Sequence, residues 1–183
     1  FWTMAAIIRL ATPADGPALA DIYRPAVTDS ATSFEIEPPD GTTMAQRVAH
    51  VLQRTPWIVW ESDGIVLGYA YASPHRERPA YQWSVEVSAY VHRDARRMGV
   101  ARSLYTELFK TLAAQGFRNA YAGVTLPNIP SVGLHTALGF TAVGIYHGIG
   151  YKNGAWHDVA WFERSLRPRD DEPAPAVPYG AIT

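Results

Sequence analysis

Between Trp83 and His92 apolar and polar residues alternate. Trp83, Val85, Val87, Ala89 and Val91 fall on one side and Ser84, Glu86, Ser88 and Tyr90 on the other. A period of two predicts a β-strand with one apolar face and a carboxylate in the middle of its polar face. The next stretch, Arg96-Arg97-Met98-Gly99-Val100-Ala101, has no period and carries a glycine. From about Ala101 to Gln115 the apolar positions, Leu104, Tyr105, Leu108 and Phe109 among them, recur at helical spacing, and Gly116 supplies a stop. A strand that feeds a helix through a short glycine loop makes an anion site. The first N–H groups of the helix have no internal partners and lie at the positive end of its dipole. Arg96 and Arg97 add charge that a phosphate can use.

The same patterns divide the rest of the chain. Ile7 to Leu10 is a short strand, and Thr12-Pro13 with Asp15 opens a helix whose Leu19, Ile22, Tyr23 and Ala26 run to about Thr28. Ser30 to Gly41 is a loop bearing Phe34; Thr42 or Thr43 caps a second helix with Met44, Val48, Val51 and Leu52 inward. Asp63-Gly64 joins two β-type runs, from Trp57 and to Ala72, as a hairpin. Arg118 to Leu126 is a strand, Ser131 to Leu138 a short helix closed by Gly139, and Thr141–Gly150 and Ala155–Leu166 pair around Lys152-Asn153-Gly154. This succession predicts a single α/β (α+β) domain over 7–166 with a mixed sheet flanked by helices. Residues 1–6 read as an N-terminal extension in which Phe1-Trp2-Thr3 could be vector-derived, and 167–183, with four prolines and no apolar period, as a tail draping over the body or a partner.

Composition narrows the chemistry. A chain of 183 residues with 48% hydrophobic content can bury a full core. A formal net charge of −1 argues against a general nucleic-acid or membrane binder. The absence of cysteine excludes disulfides, a thiol nucleophile and thiolate metal sites, and no histidine pair has ligand spacing, so no metal is expected. No apolar run approaches the roughly 20 residues of a membrane span, and no cleavable leader is evident, which makes the cytoplasm the expected compartment.

Arg96-x-x-Gly99-x-Ala101 is similar to the Gln/Arg-x-x-Gly-x-Gly/Ala signature of GNAT acetyltransferases. With Tyr81 to Val91, Leu126-Pro-Asn128-Ile-Pro-Ser131, Leu134-His135 to Phe140 and Trp156-His-Asp-Val in that order, the chain resembles the phosphinothricin N-acetyltransferase branch from about Ile7 to Leu166. The resemblance implies a mostly antiparallel central sheet whose strands splay into a V for acetyl-coenzyme A. It implies backbone pairing of the pantetheine arm by Ala89, Tyr90 and Val91, and pyrophosphate contacts along Arg96, Arg97, Met98, Gly99, Val100, Ala101 and Arg102. Asn128 and Ser131 would hold the cofactor arm, although Asn128 also reads as a turn residue.

Acetyl transfer to an amine needs a base, because an amino group titrating near pH ~8 or above is mostly protonated at neutral pH. The resemblance assigns that base to Glu86, which could otherwise be a solvated strand carboxylate. It assigns His135 to the leaving thiolate as acid; contact with the cofactor, a water-mediated hold on the base, or a purely structural place are the alternatives. Phe34, Arg76, Arg78, Tyr81, Val87 and Ser88, with Glu86, would form the acceptor site, the guanidinium groups gripping a carboxylate or phosphinate; Phe34 could equally cap the core. The implied enzyme acetylates a small amino-acid-like amine such as phosphinothricin or methionine sulfoximine and works as a homodimer. A protein N-terminus or another small amine as acceptor, and a non-catalytic coenzyme A sensor, are the competing readings.

Overall fold

The computed structural model describes residues 6–182, so all but the last residue of the expected N-terminal extension lies outside the described residues. The elements run β1 (Ile7–Leu10), α1 (Gly16–Thr28), α2 (Gly41–Val51), β2 (Trp57–Ser62), β3 (Ile65–Pro74), β4 (Ser84–Val91), α3 (Val100–Gln115), β5 (Asn119–Thr125), α4 (Ile129–Ala137), β6 (Thr141–Lys152) and β7 (Ala155–Ser165). The turn chemistry follows from the residues. Asp63 and Gly64 take φ of 52° and 76°, and Asn153 and Gly154 take 53° and 75°, the left-handed pairs that let a two-residue turn match the twist of its strands. Gly116 closes α3 at φ 103°, a conformation that costs glycine nothing. The cap of α2 differs from the expectation. Asp40, not Thr42 or Thr43, supplies it by accepting from the Thr43 N–H at 2.8 Å, because the helix begins at Gly41.

The sheet has the order β1-β2-β3-β4-β5-β7-β6 and is antiparallel except between β4 and β5. That one parallel pair is short: Ser84, Val85 and Glu86 sit beside Asn119, Ala120 and Tyr121, and the pairing then stops. Beyond Glu86, β4 continues to Val91 against β3, and β5 continues to Thr125 against β7. The two strands part company there, which is the V that the resemblance implied.

Each face of the sheet has its own core. Val85, Val87, Ala120, Ala122, Ala160 and Phe162 pack with Leu104, Leu108 and Leu112 of α3, while Trp57, Val59 and Tyr69 pack with Leu19, Ile22 and Tyr23 of α1 and Met44 and Val48 of α2. The supposedly polar face of β4 is thus enclosed at its far end. Tyr90 meets Tyr23 edge-on at 4.9 Å and leans on Tyr69 at 5.5 Å. The tail drapes over the body: Val177 N–H donates to Gln115 O at 2.8 Å, Tyr179 N–H to Arg54 O at 3.0 Å, and the Trp83 indole N–H to Ala174 O at 2.8 Å. Lys152 is buried, its ammonium donating to Val27 O and Ser33 O at 2.7 Å each, and so ties the end of β6 to the C-terminal turn of α1 and the loop after it.

Candidate active site

Where β4 and β5 separate, a groove of about 790 Å³ opens. Its walls are the end of β4, the first turn of α3, the start of α4 and the C-terminal turn of α1. Ala89, Tyr90 and Val91 lie along it, and their backbone groups on the β5 side have no strand to pair with. At the next position around the rim, Gly99 caps α3 with φ 78°, and a Cβ there would meet no atom within 4 Å. The glycine is therefore required by backbone conformation, and the space beyond it stays open. The N–H groups of Val100, Ala101 and Arg102, in the first turn of α3, have no partners within the helix and face a roomy cleft flanked by Arg96 and Arg97. Val100 itself is 2% exposed and packs toward Gly68, so only its backbone can serve a ligand. Open N–H groups, unpaired strand backbone and guanidinium groups in one groove suit a long, phosphate-bearing, amide-containing molecule.

Asn128 and His135 line the groove from the α4 side. Asn128 caps α4, its Oδ1 accepting from Ser131 N–H at 3.2 Å, which leaves its amino group without a partner among the described residues. His135 is 5% exposed and wedged among Tyr105, Phe140 and Phe162. Its Nδ1–H donates to Ser131 O at 2.7 Å, and its Nε2 faces the Tyr105 hydroxyl at 3.5 Å. Burial pushes its pKa down, partly offset by the Ser131 carbonyl. A neutral ring with its proton on Nδ1 presents Nε2 as an acceptor, so donation from Nε2 would need the imidazolium that burial disfavours. Of the roles open to His135, this geometry fits a structural, cofactor-facing wall better than an acid. Burial also pushes the Tyr105 phenol up, so that it keeps its proton.

Glu86 stands three residues before Ala89 on β4, about 10 Å along the strand, with its side chain 31% exposed. Its Oε2 lies 3.2 Å from His75 Nδ1 and 3.7 Å from an Arg76 nitrogen. Tyr121 of β5 lies opposite Glu86, and Trp161 of β7 meets the His75 ring. Gly123 faces Trp161 across the strands, where a Cβ would press on the indole at 3.2 Å. The Trp161 N–H is buried and without a partner among the described residues.

The remaining candidates divide. Arg76, Arg78 and Tyr81 line a second cavity, of about 460 Å³, at the opposite end of β4, together with Arg54, Gln82 and Phe117. Phe34 is 39% exposed and its ring lies over Gly150, where any side chain would collide with it, and near His157. Val87 is a correction in kind: at 4% exposure its side chain belongs to the core, because β4 turns it toward α3, and only its backbone could touch an acceptor. Ser88 lies opposite Tyr71 on the Glu86 face. Met98 is exposed at the rim and outside the lining of the groove. Sequence reading missed Pro25, Asp29 and Thr32 on the α1 side, Tyr105, and His75. Tyr105 was hidden by looking like an ordinary core position. His75, one residue after a proline in a charged run, gave no periodic signal.

Comparison with known proteins agrees with this geometry. The description "Acetyltransferase (GNAT) domain" matches residues 8–161. A phosphinothricin N-acetyltransferase of Streptomyces viridochromogenes is 42% identical over 176 residues, covering 96% of this chain and 94% of that one. An L-methionine sulfoximine/L-methionine sulfone acetyltransferase of Salmonella typhimurium is 32% identical, covering 92% and 97%. A GNAT superfamily phosphinothricin acetyltransferase from Sinorhizobium meliloti, solved in complex with acetyl-coenzyme A, superposes with a TM-score of 0.87 at 34% identity, covering 96% of this chain and 99% of that one.

Proposed function

The chain belongs to the GNAT acetyltransferase family, and from that premise we propose that it moves the acetyl group of acetyl-coenzyme A onto the amino group of a small amino-acid-like acceptor of the phosphinothricin or methionine sulfoximine kind. The observation that carries the reading is that one strand, β4, borders the phosphate-suited groove at Ala89–Val91 and bears a half-buried carboxylate at Glu86. The names of the relatives support the acceptor class.

Bound in the groove, acetyl-coenzyme A would supply a thioester carbonyl carbon that forms the new C–N bond as its C–S bond breaks and the sulfur leaves as the thiol. Arg96, Arg97 and the N–H groups of Gly99 to Arg102 hold the pyrophosphate, and Ala89, Tyr90 and Val91 pair with the pantetheine amides through their backbone. The Asn128 amino group and Ser131 steady the arm. Glu86 takes one proton from the acceptor ammonium and frees its lone pair; the second proton shed by that nitrogen goes to the departing sulfur. His135 keeps its Nδ1–H on Ser131 and acts as a dry wall. Arg76, Arg78 and Tyr81 receive the acidic group of the acceptor, with Phe34 closing over it. A panel of amino acids, phosphinothricin, methionine sulfoximine and short peptides, incubated with acetyl-coenzyme A while free thiol is followed, tests the reading. Turnover with the analogues is expected; turnover only with peptides would move the acceptor to protein N-termini, and no thiol release with any amine would leave a sensor.

The proposal extends to a cytoplasmic homodimer that works without nucleic acid or membrane. In its support, no helix among the described residues is long and apolar enough to cross a membrane. The edge strand β6 and the start of β7 expose Val143, Ile145, Tyr146, Ile149, Tyr151 and Trp156, a long apolar edge of the sort that a partner covers. Light scattering at micromolar concentration should return twice the mass of one chain; a monomer would sink the dimer.

A further inference from the structure

The two oxygens of the Glu86 carboxylate are not equivalent. Both neighbours within ion-pair reach, His75 Nδ1 at 3.2 Å and the Arg76 guanidinium at 3.7 Å, address Oε2, and Oε1 has no partner among the described residues. His75 is the nearer and the better fixed. Its ring is stacked on Tyr121 at 4.6 Å with planes 21° apart, and meets Trp161 edge-on at 5.8 Å and Tyr81 at 6.4 Å. Its side chain is 15% exposed, against 47% for Arg76. The backbone holds it as well, since Ser73 lies opposite Glu86, Pro74 opposite Val85, and the His75 N–H donates to Ser84 O at 3.3 Å. Arg76 in turn bends back to donate to the His75 carbonyl at 2.7 Å. Four elements thus meet at this imidazole: the end of β3, the short turn Pro79–Tyr81, β5 and β7.

We propose that His75 is the positioning residue of the base. An Nδ1–H donated to Oε2 stops the carboxylate from rotating and presents Oε1 to the acceptor ammonium, so that the proton passes from nitrogen to Oε1 while the held oxygen stays in place. An ordered carboxylate loses no orientational freedom when the acceptor arrives, and a hydrogen bond to a charged group is worth about tenfold or more in an equilibrium or a rate. The inference rests on the reading of Glu86 as the base.

The test compares wild type, H75F, H75N, E86Q and the double variant H75F/E86Q, by kcat, by the KM for acetyl-coenzyme A and by the rise in melting temperature that it induces. Phe keeps the stack on Tyr121 and loses the N–H; Asn returns an N–H near the position of Nδ1. H75F is expected to lower kcat by about tenfold with cofactor KM and melting shift unchanged, H75N to recover most of that loss, and H75F to cost nothing further in the E86Q background. A wild-type rate in H75F beside a slow E86Q would overturn the role of His75 alone. So would a full additional loss in the double variant, or loss of the melting shift in both His75 variants, which would make the residue structural. A wild-type rate in E86Q would remove the base itself and this inference with it.

Discussion

The two ends of β4 present surfaces built from different materials. At the Val91 end the surface is backbone: strand groups that β5 has left unpaired, and the first N–H groups of α3 behind a left-handed Gly99. At the Glu86 end it is side chains drawn from five elements, Glu86, His75, Tyr121, Trp161 and Tyr81, held by stacking and one hydrogen bond. A backbone surface tolerates changes of most side chains and depends on conformation. A side-chain surface keeps the backbone untouched and is retuned by single substitutions. The contrast suits a site that always takes the same donor at one end and selects among acceptors at the other.

Substitutions can break that contrast, and the largest effect is expected at the side-chain end. E86Q should lower kcat by roughly 10²–10⁴-fold and leave the acetyl-coenzyme A melting shift intact. The defect should narrow between about pH 6 and 9 as the amine loses its own proton. Thiol release across that range checks it, and near-wild-type rates throughout would make Glu86 a bystander. At the backbone end, G99D should do the reverse and abolish the melting shift. It forces a side chain into a φ of 78° and brings a negative charge to the phosphates. The stabilisation lost is about 2.7 kcal/mol at a ligand concentration 100 times Kd, read by thermal melting with and without acetyl-coenzyme A. R78Q is a smaller change confined to acceptor recognition. It should raise the acceptor KM by about tenfold with the cofactor KM unchanged, and a matching rise in both would refute the division of labour.

The smallest effect concerns His135, which belongs to the groove but is held there by burial. Its folded pKa is depressed below the ordinary 6.5. Above that pH both folded and unfolded rings are neutral and its stabilisation is complete; as pH falls below 6.5 the unfolded chain takes up protons first, so stability drops until the folded pKa is passed. H135Q should therefore flatten the fall in melting temperature as pH drops below about 6.5, read by melting curves across that range. A slope identical to wild type would place the acid sensitivity elsewhere, for instance at Glu35, whose carboxyl is held low by Arg47.

Period, turn residues and one glycine loop were enough to place β4, α3 and the groove between them, because each is a local matter. Alternation marks a strand, Asp63-Gly64 and Asn153-Gly154 can only turn one way, and Gly99 before a helix opens its N–H groups. The candidate cofactor residues from Ala89 to Arg102 are nearly contiguous for the same reason, and they line the groove except for Met98. The acceptor end was legible only in part. Glu86 stood out as a carboxylate in a strand, but nothing near residue 75 signals that its ring would reach Glu86.

The sequence by itself therefore determined the elements, the hairpin turns, the anion-suited start of α3 and the strand on which a base could stand, since these follow from backbone preferences over a few residues. The tertiary structure alone decided that β4 and β5 part after Glu86 and Tyr121, and that Val87 faces the core while Tyr90 is enclosed by Tyr23 and Tyr69. It alone decided that Tyr121 and Trp161 converge on the His75 ring and that His75 reaches one oxygen of Glu86. Those are contacts between residues 11 to 86 positions apart, fixed by sheet order and packing, and no local pattern in the chain encodes them.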